Sequence, residues 1–172
     1  MANIPETLQN FRVYNNGGDL LGIADVQLPK LDSMVQTVKG AGIAGEVEAP
    51  VAGHYSAMDV ELTWRTIVGN LVALAENKGI MLDIRGAGQG YDAESGEVKT
   101  TKIKVIVRGR PKGLDLGKLD AGAATDSKNT LACDYIKMDI DGTNKVEVDK
   151  FNYICKINGT DYLADVRDAL GL

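Results

Sequence analysis

Apolar and polar positions alternate most cleanly over residues 54–66. Met58, Val60, Leu62 and Trp64 fall on one side, and Asp59, Glu61, Thr63 and Arg65 on the other. Successive side chains of an extended chain point to opposite faces, so this pattern predicts a strand with one dry side. Residues 98–108 repeat it, with Ile103, Val105 and Val107 opposed to Lys102, Lys104 and Arg108 and only Ile106 out of step; Gly109, Pro111 and Gly113 then break the run. A further extended run is expected at 130–140. There Ala132, Ile136, Met138 and Ile140 share a parity, Asp134 dissents, and Asp141-Gly142 closes the run as a turn. Shorter strands are predicted at 11–14, 20–28, 34–39, 80–85, 145–148 and 151–157, with 86–96 as a polar turn region.

Helical spacing appears in two places. Ile67, Val68, Leu71, Val72, Leu74 and Ala75 predict a helix over 67–77 that stops at Asn77-Lys78-Gly79, with Val68, Leu71, Leu74 and Ala75 packing on the sheet. A short terminal helix over 161–170 would take Thr160 as its cap. Residues 40–53 differ in texture, carrying Gly40, Gly42, Gly45, Gly53 and Pro50, and read as a long exposed loop. The expected fold is mainly β and a single domain over 1–172. Two packed antiparallel sheets form a sandwich or partly closed barrel, with one outer α-helix and a short C-terminal helix.

With 172 residues and 44% hydrophobic content the chain is long enough for one substantial core. A formal net charge of −5 argues against gripping nucleic acid by its phosphates, which needs a basic footprint, although an acidic wall would let DNA pass without sticking. Residues 1–10 carry no basic-then-apolar secretory pattern, and no run is long enough for a membrane span, so no membrane anchor is expected. Cys133 and Cys155 sit in extended apolar runs and read as small buried hydrophobes.

Candidate chemistry is sparse. Gly40-Ala-Gly42-Ile-Ala-Gly45 has the dinucleotide-fingerprint spacing, but Glu46, Glu48 and Pro50 follow where a helix N-terminus would have to hold pyrophosphate. Asp139-Ile-Asp141-Gly142-Thr-Asn144 resembles a calcium loop with its glycine at the fourth position instead of the sixth, and reads as a hairpin turn. Asn158-Gly-Thr160 reads as a turn. His54 is the only histidine, so no histidine metal cluster is available, and the acid pairs Asp92/Glu94 and Asp59/Glu61 read as solvated faces. No cofactor and no enzymatic activity are expected.

Several strings carry a further signal when taken in order. They are the Asn16-Gly17 turn, Gly22 before Leu28-Pro-Lys-Leu31, Gly40-Ala-Gly42, Val107-Arg-Gly-Arg110, Leu114-Asp115, Tyr135 with Met138-Asp-Ile-Asp-Gly142, Asp149, Asn152, Ile157-Asn-Gly-Thr-Asp161 and Leu170-Gly-Leu172. In this order and spacing the chain resembles the major tail tube proteins of contractile-tailed bacteriophages and of R-type phage-tail bacteriocins. The resemblance implies a structural subunit of a virion tail or phage-tail-like particle, made in the bacterial cytoplasm. Hexameric rings would stack into a hollow inner tube, a conduit for DNA in a phage or a membrane-piercing needle in a bacteriocin. Implied partners are further copies of itself, the tail sheath protein, and baseplate and tail terminator proteins, with DNA only as passing cargo. On that reading Asp59 and Glu61 are candidates to face the lumen. Gly40, Gly42, Gly45, Glu46, Val47, Glu48 and Val51 are candidates for contacts between subunits and rings, and the 67–77 helix lies outside, toward the sheath. A soluble β-sandwich binding module, for instance for carbohydrate, is the alternative, but 5% aromatic content offers it little platform.

Overall fold

A computed structural model describes residues 3–172. Its strands are β1 (Asn3–Asn15), β2 (Gly18–Asp19), β3 (Ile23–Gln27), β4 (Ser33–Val38), β5 (Val47–Tyr55), β6 (Met58–Trp64), β7 (Ile80–Asp92), β8 (Val98–Asp115), β9 (Ser127–Ile140), β10 (Thr143–Asp149), β11 (Ile154–Ile157) and β12 (Thr160–Asp161). Two short helices, α1 (Gly69–Ala73) and α2 (Ala164–Leu170), complete the described chain. Met1 and Ala2, the start of the expected 1–172 domain and of the segment read for a secretory signal, lie outside the described residues. The fold is mainly β, with two antiparallel sheets in a sandwich that does not close into a barrel.

One sheet has ten strands. Its main path runs β12-β11-β10-β9-β8-β7-β1-β2, and a branch adds β6 and β3. The branch starts on β9, whose first half pairs with β6 (Met58↔Cys133 to Trp64↔Ser127) and whose second half pairs with β10 (Tyr135↔Asp149 to Ile140↔Thr143). Along its other side β9 pairs with β8, and there Arg108 faces Tyr135 while Gly109 faces Cys133. Asp134 is therefore the extra residue of a β-bulge. An inserted residue reverses which side chains point inward, so the buried positions of β9 are Ser127, Asn129, Leu131 and Cys133 before it and Ile136 after it. The single parity expected for Ala132, Ile136, Met138 and Ile140 fails for this reason, and Ala132 is exposed. Gly109 is required opposite the bulge, because a Cβ there would run into the Ala132 carbonyl. Strand β8 passes through Pro111 and Gly113 with a second register shift instead of ending at Gly109.

The branch lets both arms of the sheet contribute to one core. Met58, Val60, Leu62 and Trp64 of β6 join Val13, Leu82, Ile84, Val105, Val107, Val148 and Cys155 from the other arm. A polar bridge crosses this core. Trp64 Nε1 donates to Asn129 Oδ1 at 2.8 Å, and Asn129 Nδ2 donates to the Leu71 carbonyl at 3.1 Å, with all three residues at 0% exposure. That second bond explains why α1 is shorter than the expected 67–77. With the Leu71 carbonyl engaged by Asn129, the Ala75 amide turns to the Val72 carbonyl at 3.0 Å, and this tighter i to i+3 bond ends the α-helix. Leu71 and Leu74 are buried, Val68 packs against the core, and Ala75 is half-buried.

At the C-terminus Thr160 lies in β12 and does not cap α2. Asp161 organises the entry instead, accepting from the Leu163 amide at 3.1 Å and from Arg167 Nη2 at 2.6 Å. Cys133 and Cys155 are free and buried, and burial pushes the Cys133 thiol up to about 11, which keeps it in the unreactive form.

Replacing Asn129 by Ala strands both the Trp64 N–H and the Leu71 carbonyl inside the core. The expected cost is about 3 kcal/mol, read as a lower urea midpoint of the unassembled subunit with an unchanged slope. An unchanged midpoint would show that the bridge is not needed.

Candidate functional site

No concave site of convergent polar groups stands out from the described residues, among which no group of three or more His, Cys, Asp or Glu side chains could hold a metal ion. No helix of the described chain is long and apolar enough to cross a membrane. The candidate functional features are surfaces. The subunit exposes 10714 Å², against about 8,200 Å² expected for a compact monomer of its mass. The excess exceeds a standard protein–protein interface of roughly 1,600 Å².

Part of the excess is the second sheet, a hairpin. Strands β4 and β5 pair only with each other (Val35↔Pro50 to Val38↔Val47), and the expected 40–53 loop is thus strand from Val47 onward, with the connection confined to 39–46. The glycine-rich half made the region read as loop, although Val47, Ala49 and Val51 already alternate with Glu48 and Pro50. Gly40, Gly42 and Gly45 occupy the tip, where Gly42 and Gly45 take φ of +88° and +112°, values that an L side chain strains to adopt. Lys39 and Glu46 close the tip with an ion pair at 3.3 Å. Cross-strand pairing puts Met34, Gln36, Val38, Val47, Ala49 and Val51 on one face, and all but Ala49 are exposed. At the base, the Ser56 amide bonds the Asp32 carbonyl at 2.8 Å, and Gly53 lies so close to Leu163 that a Cβ would stand 2.6 Å from its Cγ. A two-stranded hairpin is marginal alone in water, and beyond its base, where Gly53 and Tyr55 pack on the body, this one is largely exposed in the subunit.

A second projecting surface is a tongue. Residues 86–92, expected as part of a turn, continue β7, paired with β1 on one side (Phe11↔Gly86 to Asn3↔Asp92) and with β8 on the other (Ile103↔Gly86 to Val98↔Tyr91). Ile84 is the last residue of β7 in the core cluster, so this three-stranded ribbon runs beyond its own second layer. Among the described residues, the outer side of β1 is bonded only from Val13 to Asn15, which leaves a long row of backbone donors and acceptors open before it. The turn at the ribbon's end is built on Asp92. Its carboxylate pairs with Lys99 and accepts from the Glu94 amide at 3.0 Å, and these bonds hold it down at about 2.

Asp59 and Glu61 lie on the solvated side of β6, as their alternation requires, but neither is a lone acid. Lys112 of β8 donates to Asp59 Oδ2 at 2.6 Å, and Lys128 of β9 donates to Glu61 Oε1 at 2.9 Å. The bond to Glu61 raises the Lys128 ammonium above its ordinary value. A second mixed-charge surface covers the outer side of β7, β8 and β9, where Arg85 meets Asp83 at 2.7 Å and Arg108 meets Asp134 at 2.9 Å, while Arg85 and Arg108 stack on Tyr14 and Tyr135. Neither set of partners was legible before the strand register was known.

The structure brings the hairpin residues Gly40 to Val51 together as one projection and leaves Asp59 and Glu61 on a separate face. Of the helix residues, Leu71 and Leu74 are buried, while Ile67 and Val72 point outward and are exposed.

Comparison with known proteins then bears on these surfaces. Residues 5–171 match the family described as phage tail tube protein FII. The tail tube protein of Escherichia phage P2 is 32% identical over 172 residues, covering 98% of this chain and 99% of that protein. The major tail tube protein of Serratia phage KSP20 is 26% identical over 171 residues, covering 98% of each. Among solved structures, a chain from the sheath–tube complex of an extracellular contractile injection system superposes with a TM-score of 0.51 at 16% identity, over 79% of this chain and 90% of that one. A chain from the same kind of system's sheath/tube terminator gives 0.50 at 15% identity, over 76% and 94%. At these identities the structural likeness concerns the fold.

The Asp92 turn gives a pH test of the tongue. A depressed folded-state value means that its contribution is fully present above the ordinary aspartate value of about 3.8 and disappears as pH falls through about 2. Protection of the amides at residues 88–96 of the unassembled subunit, relative to their intrinsic exchange rates, should therefore hold from neutral pH to about 4 and fall selectively below it. Asp92→Asn should show fast exchange there at every pH. Protection unaffected by either change would remove Asp92 as the organiser of the turn.

Proposed function

The chain belongs to the phage tail tube protein FII family, and we propose on that premise that six copies close into a ring and that rings stack into the inner tube of a contractile tail. The observation that carries this reading is the uncovered surface of the subunit: an unsupported hairpin, a ribbon lacking its second layer, and an open β1 edge, all in one chain. Edge strands left open in this way invite pairing, and a heterologous contact that closes on itself removes the hazard. The tube would sit in the virion tail or in a phage-tail-like particle, as a conduit for DNA in the one or a piercing needle in the other. The role is structural, in keeping with relatives named as tube proteins.

Within the stack we assign Gly40, Gly42, Gly45, Glu46, Val47, Glu48 and Val51 to contacts between subunits and rings. Ordering such a segment costs about 1–2 kcal/mol of backbone entropy per residue, and burial of its apolar face against a neighbour offsets that cost. Helix α1 is assigned to the outside, where exposed Ile67 and Val72 are available to the sheath protein. The sheath–tube complex to which one structural neighbour belongs supports that partnership. Baseplate and tail terminator proteins would meet the two ends of the stack. Asp59 and Glu61 are assigned to the lumen. With Lys112 and Lys128 beside them, six copies form a nearly neutral lattice of ion pairs that offers passing DNA neither a basic grip nor a strongly repelling ring.

Electron microscopy of the purified protein tests the assembly directly, and rings or tubes about six subunits around are expected. Replacing residues 39–46 and the adjoining strand ends by a tight glycine turn should leave a subunit with the parent's circular dichroism that no longer builds long tubes. Tubes of parental length from that variant would free the hairpin of this role. Asp59→Lys with Glu61→Lys should break two exposed ion pairs at a cost of no more than about 1 kcal/mol each. Tubes should still form, but genome delivery should slow in a salt-sensitive way; unaltered delivery would move these residues off the bore.

A further inference from the structure

Beyond its core the three-stranded ribbon carries a groove of about 420 Å³. The floor is backbone at Gly88 and Gly90, which with Gly86 before them continue the inward parity of Leu82 and Ile84 as glycine. Leu8 of β1 forms one wall, and Thr101 and Ile103 of β8 form the other. The ribbon from residue 86 to 92 extends the core-facing side of the sheet by roughly 20 Å with no layer of the same subunit packed on it. Leu8 in particular is 51% exposed. A glycine-floored sheet flanked by Leu8 and Ile103, with Glu6 and Thr101 at its rim, suits the close approach of a second, narrow sheet.

The hairpin of β4 and β5 is such a sheet. It is two strands wide, and the face bearing Met34, Val38, Val47, Ala49 and Val51 is apolar apart from Gln36 and largely exposed. Its own subunit cannot supply both halves of the contact. The hairpin base is held by Leu163 and β5 packs beside β11, near one end of the sheet order, whereas β7 and β1 lie toward the other end. The geometry points to the hairpin of a second copy of this chain as the occupant of the glycine groove, its apolar face forming the layer that the ribbon lacks. The excess surface described above is large enough for a contact of this kind. Hairpin and groove are different surfaces, so the contact is head-to-tail and propagates from copy to copy. The inference rests on the stacked-tube reading and specifies which two surfaces join successive rings.

Gly88→Val tests it. A Cβ at Gly88 meets only Thr101 and Ile103, at 3.6 and 3.8 Å, and the backbone there has no positive φ, so the subunit accommodates the side chain while the groove is filled. The variant should melt no lower than the parent and lose the slowly sedimenting-to-fast shift that marks growth beyond single rings. A cross-link reads the same contact without depending on that variant. Gly88→Cys protein is mixed with Val47→Cys protein and treated with a short bismaleimide. The native cysteines are buried, so a band at twice the subunit mass is expected only when both variants are present, and none is expected when Val72→Cys replaces Val47→Cys. Gly88→Val tubes of parental length, or assembled mixtures that give no Gly88–Val47 cross-link, overturn the groove contact and leave the tube reading standing. A parent protein that forms neither rings nor tubes overturns the tube reading and this contact with it.

Discussion

The bulge at Asp134 is the constraint on which the architecture depends. A strand has two edges, and β9 must satisfy β8 along one of them and both β6 and β10 along the other. Without the extra residue, the parity that buries Leu131 and Cys133 would expose Ile136. Charge fixes the bulge in place. Arg108 donates to Asp134 at 2.9 Å and to Asp149 at 3.3 Å, tying β8, β9 and the end of β10 together at the branch. Burial pushes the Asp149 carboxyl up, but the Asn152 side chain, the amides of Asn152 and Phe151, and Arg108 outweigh it, and the group stays below its ordinary value. Everything outside the branch is consequence: β3 and β6 on one arm, β10 to β12 on the other, and the core between them.

How far the fold could be read from the chain follows from which interactions are local. The alternation from Met58 to Leu62 is local and β6 keeps it, although Thr63, expected on the solvated side, is buried and residues 54 and 55 of the expected 54–66 strand belong to β5; Leu71, Leu74 and both cysteines are buried as expected. The parity of β9 was misread because the bulge is specified by Gly109 and Arg108, residues distant in sequence that meet only once register is set. Gly86, Gly88 and Gly90 were read as turn because glycine usually ends a strand, yet their spacing of two was itself a strand signal with the side chains removed. Helix α1 stops short because Asn129, more than fifty residues away, takes one of its carbonyls.

The functional surfaces were legible to an uneven degree. Composition sets residues 40–53 apart from the core segments, although the glycines mask the strand that begins at Val47. Asp59 and Glu61 were correctly placed on the solvated side, but their lysine partners come from β8 and β9, so the local electrostatics changed from acidic to paired. Family membership rests on a match over nearly the whole chain and not on the chemistry of any one residue.

The clamp between Gly53 and Leu163 has a mechanical meaning. The hairpin joins the body at a point where glycine lets β5 press directly on the residue that opens α2, and α2 is in turn tied by Arg167 to Asp161 and to the Tyr153 carbonyl. A pull along β5 therefore enters the core at two points, through Leu163 and through residues 56 and 57 to Met58 at the start of β6. Within the hairpin itself, tension along the strands acts on the β4–β5 hydrogen bonds side by side, so they share the force instead of opening one after another. A load on the hairpin is thereby spread over two elements of the body instead of one.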